Sequence, residues 1–264
     1  LQNIEPENTV NDLIGQMEVE IEKDRNSAVG WRYLMQPWLR TPLMIAVCIM
    51  FFQQFVGINT VIYYSPKIFL MAGFESTLSA IWASVGIGIV NVVFTVISLY
   101  LVDRIGRRKL YFIGLSGIAF SVLCLSACFI YANQLGEIGR WLMVIFMFGY
   151  VAFFAISIGP LGWLVISEIF PQKVRGLGTS IGSLAVWIFN CIVSFTFFKI
   201  IDFFSIPGTE IVVGQTTSEN PAGAFFLYGF IAVLGLVWGY LFLPETKGLS
   251  LEEIEQKWRK NREC

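Results

Sequence analysis

Six long apolar segments constrain the fold of this chain more than any other feature of its sequence. Each is long enough to cross a bilayer, for which about 20 predominantly apolar residues are needed. The chain is 56% hydrophobic and only 14% charged, whereas a soluble domain carries about 25% charged residues. Segments of this kind are predicted to be helices, because hydrocarbon offers the backbone no hydrogen-bond partners. The spans are expected near residues 43–73, 79–102, 110–131, 141–167, 177–204 and 223–243.

Two of the six segments carry features that a straight membrane helix does not favour. The first is too long for one straight crossing and is expected to bend near Gly57. The fourth contains Gly159-Pro160, a pair that is rare inside an apolar helix unless the freed backbone lines a cavity instead of lipid. We therefore predict an all-α membrane protein with six transmembrane helices and an internal cavity.

Polar segments flank the six spans. Apolar residues recur at three- and four-residue steps between Val10 and Ile21, which is typical of one face of an amphipathic helix. After the last span, Ser250 and Glu253 have the spacing of a helix-capping box. Solvated tails without helices are the alternative. The expected division into a partial cytoplasmic helical linker, a transmembrane bundle and a cytoplasmic tail falls at residues 1–40, 41–243 and 244–264.

The positions of lysine and arginine predict the orientation in the membrane. Fifteen of the 18 lie in the two tails, in the link between the second and third spans, and in the link between the fourth and fifth. The opposite side has only Lys67, Arg140 and Lys199. Because basic residues are concentrated on the cytoplasmic side, both termini are expected to be cytoplasmic.

The residue types and charge pattern of the chain argue against several classes of function. The chain has no histidine, so imidazole metal sites and Ser-His-Asp or Cys-His catalysis are not expected. Four of its five cysteines lie in apolar spans, where small thiols usually fill helix contacts. The net charge is −1 and the basic residues do not alternate with aromatic ones, so nucleic acid is not indicated. We expect no enzyme activity, no metal site and no cofactor.

Three amides lie close together in the first span, at Gln53, Gln54 and Asn59. Amide side chains both donate and accept hydrogen bonds, as sugar hydroxyls do, so their presence at membrane depth favours a polyhydroxylated ligand over an ion. The alternative is bonding between helices, a common use of Asn and Gln in membranes. Gln54 and Asn59 would lie about 140° apart on an unbroken helix. They converge only if the span bends at Gly57 or if both flank one cavity.

Other spans also carry polar and aromatic residues at membrane depth. Trp187 and Asn190 share a face of the fifth span and offer an aromatic plane beside an amide. Such planes stack on the C–H faces of sugars, although a tryptophan in a membrane helix is usually an interfacial anchor. Trp163 follows the Gly-Pro pair, and its placement is expected to depend on that break. Asn91 stands among small apolar residues, where packing and ligand binding fit equally well.

Charged residues of both signs cluster at the cytoplasmic ends of the spans. If these ends meet, acids face bases in an ion-pair network, and a partly buried network matters more than isolated surface pairs. The positive-inside bias is the alternative, but it explains only the arginines. The expected members are Asp103, Arg104, Arg107, Glu168, Arg175 and Glu245.

Four motifs in chain order carry a resemblance to a known family. They are QQxxGxN from Gln53 to Asn59, DRxGRR from Asp103 to Arg108, GPxxW with SEIFPxxxRG from Gly159 to Gly176, and PETKG from Pro244 to Gly248. Together they resemble the sugar porter family of the major facilitator superfamily. The resemblance covers the whole chain and is specific to the C-terminal half of that family, closest in style to its bacterial sugar-proton symporters.

The resemblance implies a fold of twelve helices in two six-helix halves, of which this chain is the second. It also implies transport of a monosaccharide by alternating access in the plasma (inner) membrane, with the missing first half as a partner. The family's sugar-binding positions map onto Gln53, Gln54, Asn59, Asn91, Trp163, Trp187 and Asn190. Its inward-side salt-bridge latch maps onto Asp103, Arg104, Arg107, Glu168, Arg175 and Glu245.

The chain departs from the family pattern at two positions. Facilitative glucose carriers often have an acidic residue four places before the Gly-Pro pair, where this chain has Ala155. The bacterial proton symporters that look closer place a glutamine immediately before the tryptophan that matches Trp187, where this chain has Val186. These departures leave the identity of the sugar open.

Two alternatives to transport remain open from the sequence. The chain does not begin with methionine, and a truncated, inactive transporter fragment is one alternative. A non-transporting sugar receptor is the other, although such receptors carry long signalling tails. No Asp or Glu lies in the middle of a predicted span, so a group that couples transport to protons is expected outside this chain or not at all.

Overall fold

The structure is a computed structural model that describes residues 31–74, 76–205, 211–213 and 216–248, together with residues 253, 254, 256 and 258. Short 3₁₀ turns lie at Pro37–Leu39 and Gln172–Val174. A small antiparallel hairpin pairs β1 (Ile211–Val213) with β2 (Thr216–Ser218). The helices are α1 (Trp31–Leu34), α2 (Arg40–Phe55), α3 (Ile58–Met71), α4 (Thr77–Ile105), α5 (Arg107–Ile130), α6 (Ala132–Ile156), α7 (Ile158–Glu168), α8 (Arg175–Phe203) and α9 (Ala222–Phe242).

The predicted all-α membrane fold with six spans is confirmed. The hairpin between the last two spans is the only strand structure in the part of the chain described. The amphipathic helix expected between Val10 and Ile21 and the cap expected at Ser250 lie outside the described residues. The six segments long and apolar enough to cross a membrane are Pro37–Met71, Thr77–Ile105, Arg107–Ile130, Ala132–Glu168, Gln172–Phe203 and Ala222–Phe242.

The first span bends at Gly57, as its length and glycine predict. Gly57 has a φ of 88° and separates α2 from α3, a left-handed conformation that a residue with a Cβ rarely adopts. The carbonyl of Val56 beside the bend accepts a hydrogen bond of 2.9 Å from the buried Tyr150 hydroxyl of α6. A Cβ added to Gly57 would overlap the ring of Tyr228 in α9, so the bend also allows close helix packing.

The fourth span breaks at Ser157, two residues before the Gly-Pro pair to which the sequence points. Ser157 has φ −127° and ψ −103°, and Pro160 lies within the first turn of α7, where a missing N–H costs a helix nothing. Because Pro160 cannot donate to the carbonyl four residues earlier, the Ile156 carbonyl needs another partner. The buried Ser98 hydroxyl of α4 supplies it, donating at 2.8 Å.

The helices pack around a core that contains buried tyrosines. α5 lies between α6 and α9, α2 packs against α8, and α4 packs against α6. The Tyr111 hydroxyl donates to the Gly235 carbonyl at 3.0 Å, which satisfies a polar group in an apolar interior. In the tail, Ile254 and Trp258 are buried, and the Trp258 indole donates to the Ile169 carbonyl at 3.2 Å. The tail is therefore anchored at the charged end of the fourth span.

Gly57→Ala tests the bend. The substitution places a Cβ in a left-handed backbone conformation and against Tyr228, and it is expected to lower the free energy of unfolding by about 2–4 kcal/mol. The measurement is the midpoint of thermal unfolding of the purified chain in detergent. Gly88→Ala in α4 is the matched control, because a Cβ there meets nothing within 4 Å. Equal midpoints for the two variants would contradict this account of the bend.

Candidate functional site

A cavity of about 390 Å³ lies at membrane depth between the first, second, fourth and fifth spans. The Gly57 bend and the Ser157 break both lie beside it, so irregular backbone borders a cavity and not lipid. Its wall combines amides and hydroxyls with aromatic and aliphatic side chains. The lining residues are Gln53, Gln54, Ile58, Asn59, Tyr63, Asn91, Thr95, Phe154, Ala155, Gly159, Pro160, Trp163, Val186, Trp187 and Asn190.

The structure brings all seven predicted ligand-binding residues onto the wall of this one cavity. They come from four spans and are separated by up to 137 positions in sequence, so only the tertiary fold places them together. Their role in binding a ligand stays a prediction. The seven are Gln53, Gln54, Asn59, Asn91, Trp163, Trp187 and Asn190.

The amides of the first span form a connected row. Asn59 donates through Nδ2 to Oε1 of Gln54 at 2.6 Å, and Gln54 donates through Nε2 to Oε1 of Gln53 at 3.3 Å. Gln53 in turn donates to the carbonyls of Ile158 and Gly159 in the fourth span, at 3.1 and 2.7 Å. The bend at Gly57 brings Gln54 and Asn59 together, and the row bonds the first span to the fourth.

The opposite wall carries polar groups of α8 and α3. Asn190 donates through Nδ2 to the Tyr63 hydroxyl at 3.3 Å and accepts from the Ser194 hydroxyl at 3.0 Å. Trp187 stands one turn away on α8 and is 65% exposed, whereas Gln53 is 2% exposed. The ring of Trp187 is therefore largely exposed, whereas the Gln53 amide is enclosed by protein.

Three lining residues keep unused hydrogen-bond donors. Within the part of the chain described, the Asn91 amide and the indole N–H groups of Trp163 and Trp187 make no hydrogen bond. Unsatisfied donors beside partly used amides make the wall able to bind a ligand rich in hydroxyl groups. The tryptophan rings supply apolar planes for the carbon face of such a ligand.

Some lining residues were not predicted as site residues from the sequence. Thr95 lies one turn after Asn91, and its hydroxyl donates to the Asn91 carbonyl at 2.7 Å. Its four-residue spacing from Asn91 is a signal that could have found it, whereas Phe154 stands in a run of aromatic residues without a distinguishing pattern. Ala155 and Val186, where the chain departs from the family pattern, both line the cavity, so the departures change its chemistry directly.

The charged ends of three spans meet, and Arg107 is at the centre of the contact. Its Nη2 lies 2.9 Å from Oε1 of Glu168 and 3.3 Å from Oδ1 of Asp103. The second oxygen of Glu168 accepts from the Thr246 hydroxyl at 2.6 Å. Glu168 thereby joins the end of the fourth span to the start of the third and to the segment after the sixth.

Glu245 caps the N-terminus of the third span, although it follows Arg107 by 138 residues in the sequence. Its carboxylate accepts from the backbone N–H groups of Arg107 and Arg108 at 3.0 and 3.1 Å, the first two residues of α5. Gly106 precedes them with a φ of 95°, and a Cβ there would lie 2.9 Å from a Glu245 oxygen. A carboxylate at a helix N-terminus satisfies free donors and complements the helix dipole. The glycine of the DRxGRR motif makes room for that carboxylate.

The guanidinium groups of Arg104 and Arg175 do not enter this network as the sequence predicts. Arg104 takes part through its backbone carbonyl, which accepts from Nζ of Lys247 at 2.7 Å, and its side chain is exposed. Arg175 opens α8, and its buried Nε and Nη2 have no hydrogen-bond partner among the residues that the structure covers. Thr246 and Lys247, which were not predicted, take part instead.

Comparison with known proteins places the chain among transporters. Residues 1–258 match the family described as "Sugar (and other) transporter". The chain is 35% identical to the D-xylose-proton symporter of Escherichia coli (strain K12), over 91% of this chain and 46% of that protein. It is 38% identical to the glucose transporter GlcP of Staphylococcus epidermidis, over 87% of this chain and 47% of that protein.

A solved transporter structure has the same fold as this chain. The proton:xylose symporter XylE of the major facilitator superfamily, bound to 6-bromo-6-deoxy-D-glucose, superposes with a TM-score of 0.72 at 34% identity. The superposition covers 94% of this chain and 49% of XylE. The chain therefore spans about half the length of the relatives that it matches.

Glu245→Gln tests the capping of α5. An amide keeps one acceptor oxygen where the carboxylate offers two, so the variant is expected to lose about 1–3 kcal/mol of unfolding free energy. The measurement is thermal unfolding in detergent. Asp103→Asn is the control, because Asp103 is 76% exposed and an exposed ion pair contributes at most about 1 kcal/mol. A larger loss for the Asp103 variant would show that ion pairing, and not capping, holds this end of the bundle together.

Proposed function

The chain belongs to the sugar transporter family, and from that premise we propose that it is the C-terminal six-helix half of a carrier that moves a monosaccharide by alternating access. It is a multi-pass integral membrane protein by its family and its six apolar spans. The observation that carries the proposal is the convergence of amides and tryptophans on one cavity at membrane depth. Related proteins are named for D-xylose and glucose transport.

The chemistry of the cavity wall suits a monosaccharide. Its volume of about 390 Å³ lies within the range of about 300–1,000 Å³ that is usual for small-molecule sites. The proposed ligand-binding residues are Gln53, Gln54, Asn59, Asn91, Trp163, Trp187 and Asn190. Amides exchange hydrogen bonds with hydroxyl groups in either direction, and the exposed ring of Trp187 offers a plane for the sugar's carbon face.

A second six-helix half is proposed to complete the carrier, in the same native chain or in another. Only 11% of an 18-residue apolar stretch of α4 is buried by the described residues, so much of that helix is available to lipid and to another bundle. We propose residues 1–40 as the linker to the other half, residues 41–243 as the bundle and residues 244–264 as the tail. The half-length match to the relatives supports this arrangement.

The charge network is proposed to gate the cycle. Asp103, Arg107 and Glu168 pair directly, and Glu245 binds backbone at the same end. Partly buried interactions of this kind hold helix ends together and can be exchanged when two halves rock about a central site. Arg104 and Arg175 belong to the proposed gate as residues that gain carboxylate partners in another state of the complete carrier.

The charged network is proposed to face the cytoplasm, with both termini on that side of the plasma (inner) membrane. Arg104→Cys and Lys199→Cys, each in a background without native cysteines, test this orientation. Both native side chains are exposed at opposite ends of the spans. In right-side-out vesicles, a membrane-impermeant maleimide is expected to label the variant at position 199 and to spare the one at position 104. The reverse labelling pattern would invert the proposed topology.

Coupling to protons is proposed to depend on groups outside this chain. Among the residues described, the acidic side chains of the spans lie near helix ends, at Asp103, Glu137, Glu168 and Asp202. A related protein is named as a D-xylose-proton symporter, and a buried titratable group is the usual means of such coupling. We therefore propose that the buried titratable group of a symporting complete carrier lies in the other half.

Uptake of radiolabelled monosaccharides into proteoliposomes that contain the complete carrier tests the proposed function. Gln54→Ala and Asn59→Ala are each expected to lower apparent sugar affinity about tenfold or more, because a lost hydrogen bond in a closed site costs about 1–3 kcal/mol. Protein yield in the membrane should not change. Full affinity in both variants would rule out this cavity as the sugar site, and a carrier that moves no monosaccharide would contradict the proposed function itself.

A matched pair of tryptophans provides the control. Trp187 and Trp82 are 65% and 67% exposed, but only Trp187 lines the cavity. Trp187→Ala should weaken sugar binding, whereas Trp82→Ala should leave it unchanged. Equal losses would show that bilayer placement, and not stacking on sugar, explains the effect.

A further inference from the structure

We propose that Gln53 is a positioning residue that locks the break in the fourth span to the bend in the first. This inference rests on the proposed function, because its consequence is for the movement of a carrier. Through this lock, α7 turns together with the amides that hold the sugar. Since α7 has Trp163 at the cavity and Glu168 at its other end, the lock connects the occupied cavity with the charge network.

The donors of the Gln53 amide are directed at protein, which leaves only its oxygen for a ligand in the cavity. Both hydrogens of its amide nitrogen serve main-chain carbonyls, those of Ile158 at 3.1 Å and Gly159 at 2.7 Å. Its oxygen accepts from Gln54. A primary amide has two donor hydrogens and two acceptor lone pairs, so Gln53 can bind a sugar hydroxyl only through the second lone pair of its oxygen. At 2% exposure, the side chain is enclosed, unlike the tryptophans of the wall.

Gln53 contacts the fourth span directly beside its break. The chain leaves α6 at Ile156 and enters α7 at Ile158, and Gln53 contacts the first two residues of the new helix. Ser98 holds the Ile156 carbonyl on the other side of the break. Two side chains from two other spans therefore fix both edges of the break.

Gly162 shows how closely Gln53 approaches α7. A Cβ at this position would lie 2.7 Å from Nε2 of Gln53, which is shorter than a side-chain carbon tolerates. With glycine, the amide reaches the carbonyls one turn earlier. Gly162, within the GPxxW motif, therefore leaves room for the Gln53 amide beside α7.

The contact is reciprocal, which makes the two irregular segments one unit. Tyr150 of the fourth span donates to the Val56 carbonyl at the bend of the first span. Gln53 of the first span donates to the carbonyls at the break of the fourth. A separation of the two segments would leave the Val56 carbonyl and the buried donors of Gln53 without these partners in the membrane.

Hydrogen exchange in the unliganded complete carrier tests the lock without any sugar. Gln53→Met keeps the volume and removes both donors, and it should speed amide exchange in residues 157–163 by about tenfold or more. Gln54→Met, the same change at the next residue, should leave exchange at the break unchanged. Unaltered exchange in the Gln53 variant, or equal acceleration in both, overturns the proposal. Gly162→Ala is a second variant, because it displaces the Gln53 amide, and it should reproduce the Gln53→Met result.

Transport kinetics in the same proteins separate positioning from binding. Gln53→Met should lower turnover about tenfold at sugar concentrations above its own KM, because α7 no longer turns with the amides. Gln54→Met should mainly raise KM. Unchanged turnover in the Gln53 variant overturns the proposal. A wild-type carrier that moves no monosaccharide would instead overturn the proposed function, and the exchange result would still decide whether Gln53 holds the break.

Discussion

Pairing of backbone groups without water is the constraint on which the centre of this bundle depends. A bend and a break each free carbonyls that lipid cannot satisfy. The hydroxyls of Tyr150 and Ser98 meet this requirement at the Val56 and Ile156 carbonyls, and the two irregular segments lie side by side, so that the Gln53 amide of the first donates to the start of α7. The cavity lies beside both irregular segments, with Ile58, Gly159 and Pro160 in its wall.

The spans and the first bend could be predicted because their signals are local. Length, hydropathy and a single glycine are enough to place a bend at Gly57, and its φ of 88° agrees. For the fourth span the sequence predicts the break less accurately, at Gly159-Pro160 instead of Ser157. Proline fits the first turn of a helix, so the irregular residue precedes it. Ser98 as the partner of Ile156 depends on how α4 packs against α6, and no local pattern contains that information.

For the site, too, the residue types could be predicted from the sequence, whereas their contacts could not. The sequence identifies which amides and tryptophans lie at membrane depth, and the fold brings them to one wall. It does not reveal that Gln53 turns its donors away from the cavity, because adjacent glutamines look alike in a sequence. Glu245 is a similar case. Its charge predicts an ion pair, whereas the carboxylate binds the backbone N–H groups of Arg107 and Arg108, which a pattern of side chains does not display.

The reciprocal bonds between the first and fourth spans have a consequence for biosynthesis. The Val56 carbonyl finds its partner 94 residues later in the chain, and Gln53 finds its carbonyls 105 and 106 residues later. At about 5–20 residues per second, a ribosome needs on the order of 5 to 20 seconds to supply them. During that interval the first span carries unpaired amides and a free carbonyl, which hydrocarbon does not solvate. Integration of the first span alone would therefore leave these groups without partners unless water, the insertion machinery or another polar helix supplies them until the fourth span arrives.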